Sequence, residues 1–192
     1  MKGIFPSLRA VLAAASLLGL AACGGSSVTN VTLGGNITGL TSGTLVLSNG
    51  LSSSTLTPGM TSYVLPGRAT VGLGYGVGIV SQPADLTCTL ANASGIAEEK
   101  DINNINVTCA TNNSLGGTVT GLTAGSLVLV NGRDNVTIAA GSTTFAFPTK
   151  IVNGTPFGIT ILTQPVGKTC TVTGGIGTMG TANITSVAVN CI

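Results

Sequence analysis

Cysteine is the residue type in this chain whose spacing most directly predicts chemistry. Four cysteines form two pairs of equal separation, because Cys88 and Cys109 are 21 positions apart and so are Cys170 and Cys191. A fifth cysteine, Cys23, is left over. Paired cysteines at matching spacings are typical of disulfides, which persist in oxidising compartments. We therefore expect an exported protein with two structural disulfides.

An internal repeat accounts for this spacing. Residues 33–110 align with residues 115–192 at a fixed offset of 82 without a gap, and more than a third of the aligned positions are identical. Four cysteines allow three pairings. The repeat favours one disulfide within each copy, Cys88 with Cys109 and Cys170 with Cys191, because each copy is then self-contained.

Short alternating runs of apolar and polar residues, broken by Gly, Asn and Pro, predict that the repeats are all-β. Asn49-Gly50 and Asn131-Gly132 mark tight turns, since both residue types tolerate positive φ. Seven short strands per copy are typical of a Greek-key β-sandwich. In the second copy we expect these strands at residues 115–120, 126–131, 135–139, 143–147, 156–163, 168–173 and 184–191.

The order of these elements resembles that of known surface modules. Each copy has a Gly-x-x-x-Gly-Leu segment (Gly-x-Val-x-Gly-Leu in the second copy) and then Leu-Val-Leu, followed in the second copy by an aromatic strand before Pro148 and an extended strand at Phe157. This order resembles carboxypeptidase-regulatory-like and collagen-adhesin B-type modules, and the resemblance implies a prealbumin-like sandwich. An immunoglobulin-like (Ig-like) topology is equally compatible with the strand pattern. The expected fold is therefore two tandem Greek-key β-sandwich domains, Ig-like or prealbumin-like, after a signal peptide.

The first residues have the form of a secretory leader. Lys2 and Arg9 precede an uncharged apolar run at residues 10–22, which is too short to span a bilayer as a helix. The run ends in Leu20-Ala21-Ala22-Cys23, which resembles the lipobox of bacterial lipoproteins. This resemblance implies cleavage before Cys23, lipidation of Cys23 and attachment to a membrane. In that family, Gly rather than Asp at position 24 implies the outer membrane or the cell surface, with the periplasmic face left open.

Together these signals divide the chain into four segments. We expect a signal peptide at residues 1–22, a lipidated flexible tether at 23–30, and β-sandwich repeats at 31–110 and 111–192. The junction around residues 110–114 is too short for free independent motion, so we expect the repeats to stack end to end.

Composition excludes several functions. After removal of Lys2 and Arg9 with the leader, five basic residues balance five acidic ones, so no basic face is expected for nucleic acid. The chain has no histidine, which excludes a Ser-His-Asp or Cys-His mechanism and histidine zinc sites. We expect no enzymatic activity, no cofactor and no metal site.

Two local patterns suggest ligand binding but have simpler interpretations. Residues 72–78 (GLGYGVG) look like a phosphate-binding loop, yet the matching residues 154–160 contain Pro156, so we predict one strand with Leu73 and Tyr75 on its core-facing side. The acidic residues near the first cysteine pair are Asp85, Glu98, Glu99 and Asp101. They could bind calcium, but a solvated charged loop fits their spacing better.

The sequence thus predicts a cell-envelope lipoprotein that presents two disulfide-linked β-sandwich modules as a structural or protein-interaction element. Its expected partners are the membrane, through the lipid anchor, and another envelope or surface protein. The alternative is a glycan-dependent or calcium-dependent surface adhesin.

Overall fold

The computed structural model describes residues 28–192, and this part of the chain consists of strands, turns and loops without a helix. The leader, Cys23 and most of the tether lie outside the described residues. The strands of the first repeat are β1 (Asn30–Thr38), β2 (Leu45–Ser48), β3 (Ser53–Leu56), β4 (Ser62–Thr70), β5 (Gly74–Gly76), β6 (Gly78–Ser81), β7 (Leu86–Leu90), β8 (Ser94–Ile96) and β9 (Val107–Asn113). Those of the second are β10 (Leu115–Thr120), β11 (Ser126–Asn131), β12 (Asp134–Ala139), β13 (Thr144–Ala146), β14 (Ile151–Val152), β15 (Pro156–Thr163), β16 (Cys170–Thr173), β17 (Ile176–Thr178) and β18 (Ile184–Cys191).

The two repeats have matching strand orders. In the first, one sheet has the order β4-β1-β9-β7, and β3-β2-β6 forms a second sheet beside the β5-β8 ribbon. In the second, the corresponding orders are β13-β10-β18-β16 and β12-β11-β15-β17. The first and last strands of each repeat pair in parallel, β1 with β9 and β10 with β18. The chain therefore enters each repeat at one end and leaves it at the opposite end.

Each repeat has its own hydrophobic core. The buried residues fall into two clusters, one from residues 31–109 and one from residues 115–191. The alternation of inward apolar side chains is clearest in the Leu-Val-Leu strands, where Leu45 and Leu47 in β2 are fully buried. A fully buried leucine of this kind contributes about 1.5–3 kcal/mol relative to an exposed one.

Glycines let either a neighbouring strand or an aromatic ring lie close against the backbone. A Cβ atom at Gly117 would overlap the carbonyl oxygen of Val187, so only glycine lets β10 lie this close to β18 at its bulge. The ring of Phe157 covers Gly177 on the neighbouring strand, where an added Cβ would lie 2.9 Å from the ring. Tyr75 covers Gly95 in the same way in the first repeat. The aromatic rings fill the space that these glycines leave open.

The structure confirms the all-β prediction and corrects parts of the strand prediction. In the second repeat, each of the seven expected strands is present with bounds within two residues. The additional strands β14 and β17 were not predicted. The strand predicted through residues 72–78 is divided at Val77 into β5 and β6, and Leu73 is exposed rather than core-facing because β5 begins only at Gly74.

Candidate functional site

The disulfides join directly opposed residues of neighbouring strands. Cys88 in β7 is bonded to Cys109 in β9, and Cys170 in β16 is bonded to Cys191 in β18. All four side chains are buried. These are the pairs that the repeat favours, one within each copy. Each disulfide therefore links the last strand of its repeat to the adjacent strand of the same sheet.

A glutamine side chain supports each disulfide from the preceding loop. The Oε1 atom of Gln82 accepts a hydrogen bond from the backbone N–H of Cys88 at 2.9 Å. Gln164 accepts the equivalent bond from Cys170 at 2.8 Å, and its Nε2 atom donates to the carbonyl oxygen of Cys170. Gln-Pro recurs in both copies, at residues 82–83 and 164–165, but the strand pattern assigns no role to the glutamine. The glutamine lies six positions before a cysteine in both copies, and this spacing is the feature from which its role could have been predicted.

The junction between the repeats is a continuous stretch of β-structure. Strand β9 extends to Asn113, beyond the expected boundary after residue 110, and β10 begins at Leu115. The end of β9 pairs with β14 of the second repeat, Asn113 opposite Ile151 and Asn112 opposite Val152. The sheet of the first repeat therefore gains one short strand, β14, from the second repeat.

Two asparagine side chains at the end of β9 make hydrogen bonds on opposite sides of this junction. Asn113 is only 8% exposed, and its Nδ2 atom donates to the carbonyl oxygen of Gly180 at 2.8 Å and to Oγ1 of Thr111 at 3.1 Å. Asn112 points to the first repeat, where its Oδ1 atom accepts from Oγ1 of Thr87 at 2.8 Å. Neither asparagine was singled out from the sequence, because the pattern of apolar residues does not reveal a buried polar side chain.

One ion pair also crosses the junction. Lys150 of the second repeat contacts the carboxylate of Asp85 in the first. Both side chains are largely exposed to water. An exposed pair of this kind contributes roughly 0–1 kcal/mol, so the hydrogen bonds of β9 are the stronger link between the repeats.

Two of the acidic residues near the first disulfide, Asp85 and Asp101, have separate partners. Asp101 accepts a hydrogen bond from the backbone N–H of Thr32 at 2.7 Å, and this bond, aided by nearby Arg68, holds the pKa of Asp101 below its ordinary value. In the second repeat, Asn183 accepts the equivalent bond from the backbone N–H of Ser114 at 2.8 Å. This backbone hydrogen bond therefore does not require a charged acceptor. Within residues 28–192, no three His, Cys, Asp or Glu side chains lie close enough together to hold a metal ion.

The two tyrosines have different environments. Tyr63 is buried, and its hydroxyl donates to the carbonyl oxygen of Ile105 at 2.8 Å. Burial raises the pKa of Tyr63 to about 12. Tyr75 is half-buried, and its hydroxyl donates to the carbonyl oxygen of Asn92 at 3.3 Å. One face of the Tyr75 ring is already covered by Gly95, which limits its use as a stacking surface.

Among the described residues, no helix has the length and apolar character needed to cross a membrane. No family model matches the chain, and no curated protein matches it in sequence.

Proposed function

We propose that the protein is a cell-envelope lipoprotein that carries two disulfide-linked β-sandwich modules as a rigid structural or protein-interaction element. The observation that carries this proposal is the strand β9, which ends the first repeat and also pairs with the second. A chain that leaves each module opposite to where it enters, without a flexible linker, suits a spacer between an anchor and a partner.

The sandwich assignment rests on the two sheets of each repeat. Buried residues come from both sheets, for example Leu33 on β1 and Leu47 on β2, or Val187 on β18 and Leu129 on β11. Inward-facing residues on two facing sheets are the basis of a β-sandwich core. Each disulfide then links two strands within one sheet and closes a separate module.

The anchor rests on the leader and on Cys23. The lipobox Leu20-Ala21-Ala22-Cys23 supports lipidation of Cys23 after cleavage, and Gly24 supports placement at the outer membrane or cell surface. The paired cysteines in both repeats fit such an oxidising environment. The partner at the far end is proposed to be another envelope or surface protein, contacted without catalysis.

Two measurements on the exported protein test this function. Mass spectrometry of the mature N-terminal peptide should show acyl groups on Cys23, and a chain whose residues 1–23 are replaced by a cleavable secretion signal without a lipobox should appear in the soluble fraction. Amide relaxation by NMR on this soluble chain should give one rotational correlation time for both repeats. An unacylated wild-type terminus would refute the anchor, and two distinct correlation times would refute the rigid spacer.

A further inference from the structure

The end of the first repeat at which β1 begins, here called the proximal end, contains an open cavity of about 210 Å³. Leu33 and Ala69 form its buried floor. Its rim includes Leu51 and Leu73, whose side chains are 87% and 60% exposed, together with Arg68. Two large apolar side chains with this exposure on one rim form a surface that water solvates poorly.

Hydrogen bonds place this cavity beside the first described residues of the chain. Thr70, which lines the cavity, donates from its Oγ1 atom to Oδ1 of Asn30 at 3.0 Å. The backbone N–H of Val71 donates to the carbonyl oxygen of Thr29 at 3.0 Å. The proximal end therefore faces the segment that leads to Cys23.

The second repeat provides an internal comparison for this surface. At the offset of 82, Leu51 corresponds to Arg133 and Leu73 corresponds to Thr155. The same end of the second repeat lies against the first, where Asn153 repeats the backbone bond of Val71 by donating to Thr111. Leu51 and Leu73 thus lie at an end that no other described residue covers. At the equivalent end of the second repeat, which adjoins the first, the exposed residues Arg133 and Thr155 replace them.

We propose that the proximal end docks on a phospholipid surface, with Leu51 and Leu73 inserted between the headgroups. This inference rests on the proposed lipid anchor at Cys23. An extended chain covers at most ~3.6 Å per step between residues, so the five steps from Cys23 to Val28 keep Val28 within about 18 Å of the anchor. Amphipathic surfaces that bury leucine at the acyl boundary bind membranes by this mechanism.

Charge plays a secondary part in this docking. Arg68 on the rim can contact lipid phosphate, because guanidinium groups bind phosphate through paired hydrogen bonds. Asp101 lies close enough to Arg68 for their charges to interact, which reduces the net positive field at the proximal end. The leucines therefore supply most of the interaction, and binding should depend only modestly on salt.

Tryptophan substitution tests the docking directly, because the chain contains no tryptophan. The full acylated protein carrying Leu73→Trp is placed in vesicles of phosphatidylethanolamine and phosphatidylglycerol, with or without brominated acyl chains. Thr155→Trp, at the equivalent position of the second repeat, is the matched control. We expect a blue-shifted emission and a loss of intensity with brominated lipid for Leu73→Trp, and neither for Thr155→Trp.

Equal quenching of the two variants, or no quenching of Leu73→Trp in acylated protein, would overturn the docking. Leu51→Trp repeats the measurement if Leu73→Trp does not fold, with Arg133→Trp as its control. Mass spectrometry of the N-terminal peptide from the same sample separates the two proposals. Absent acyl groups overturn the lipoprotein function and the docking together, whereas acylated protein without quenching overturns the docking alone.

Discussion

Removal of the second disulfide should destabilise one repeat and leave the other nearly unchanged. The variant replaces Cys170 and Cys191 with alanine, which opens a loop of 21 residues. The chain-entropy relation gives about 3 kcal/mol for a loop of this length at 25 °C. Small domains have only ~5–15 kcal/mol of total stability, so this is a large fraction for one repeat.

Because the two repeats have separate cores, the loss of stability should be confined to the second repeat. Cys170 and Cys191 belong to the cluster of residues 115–191, and the first cluster ends at Cys109. Both tyrosines, Tyr63 and Tyr75, lie in the first repeat, so tyrosine fluorescence reports on that repeat alone. Far-ultraviolet circular dichroism reports on the strands of both repeats.

Urea denaturation of the oxidised protein measures the two signals in parallel. With a slope of about 1–1.5 kcal/mol per molar urea for so small a unit, a loss of about 3 kcal/mol lowers the midpoint of the second repeat by roughly 2–3 M. The tyrosine transition should move by much less. The matched variant, Cys88→Ala with Cys109→Ala, should instead shift the tyrosine transition by a similar amount.

Two results would refute this reasoning. If the tyrosine signal and circular dichroism shift together in the variant without the Cys170–Cys191 disulfide, the repeats unfold as one unit and the cores are not energetically separate. If neither signal moves, loop closure is not the source of the stability attributed to the disulfide.

Three further predictions follow from particular contacts. Tyr63→Phe, which introduces the residue type found at Phe145, should cost about 1 kcal/mol at neutral pH through the lost bond to Ile105. The pKa of Tyr63 is raised from 10.0 to about 12 in the fold, so wild-type stability should fall between pH 10 and 12 as the unfolded tyrosine ionises. In urea titrations the wild-type advantage of about 1 kcal/mol over Tyr63→Phe should therefore vanish or reverse over this range. Asn113→Val, the residue type at the equivalent Val31, leaves the carbonyl of Gly180 without its partner and should destabilise the second repeat by about 1–3 kcal/mol; an unchanged melting temperature would contradict the role of Asn113. In single-molecule pulling, reduction of the disulfides should lengthen the unfolding step of each repeat by about 70 Å, since ~20 residues at ~3.5 Å are released, whereas an unchanged step would contradict a bridge within the repeat.

Strands could be predicted from the sequence where a local alternation of residue types and a turn signal define them. The Leu-Val-Leu run before Asn131-Gly132 defines β11 and its turn, and the alternation up to Cys191 defines β18. Strand β14 has only two residues and pairs with the end of β9, far away in sequence, so no local period marks it. The exposure of Leu73 also depends on where pairing with β8 begins, which a pattern of residue types does not specify.

The site was predictable to the extent that the repeat duplicates it. Both disulfides follow from equal spacing in the two copies, and the role of Asp101 becomes clear once Asn183 is seen to accept the same backbone bond. Asn113 has no such duplicate, because the corresponding residue in the first repeat is the apolar Val31. A contact made only once, between the repeats, leaves no periodic signal.

Equivalent positions at the ends of the two repeats differ in their charged residues. Lys150 and Arg68 are equivalent, but Lys150 pairs with Asp85 across the junction, whereas within residues 28–192 Arg68 forms no such ion pair. The position equivalent to Asp85 in the second repeat is Gly167, so the far end of that repeat lacks the carboxylate that a further identical junction would use. The two outer ends therefore could not repeat the ion pair of the junction. This difference argues against head-to-tail polymerisation through copies of this junction.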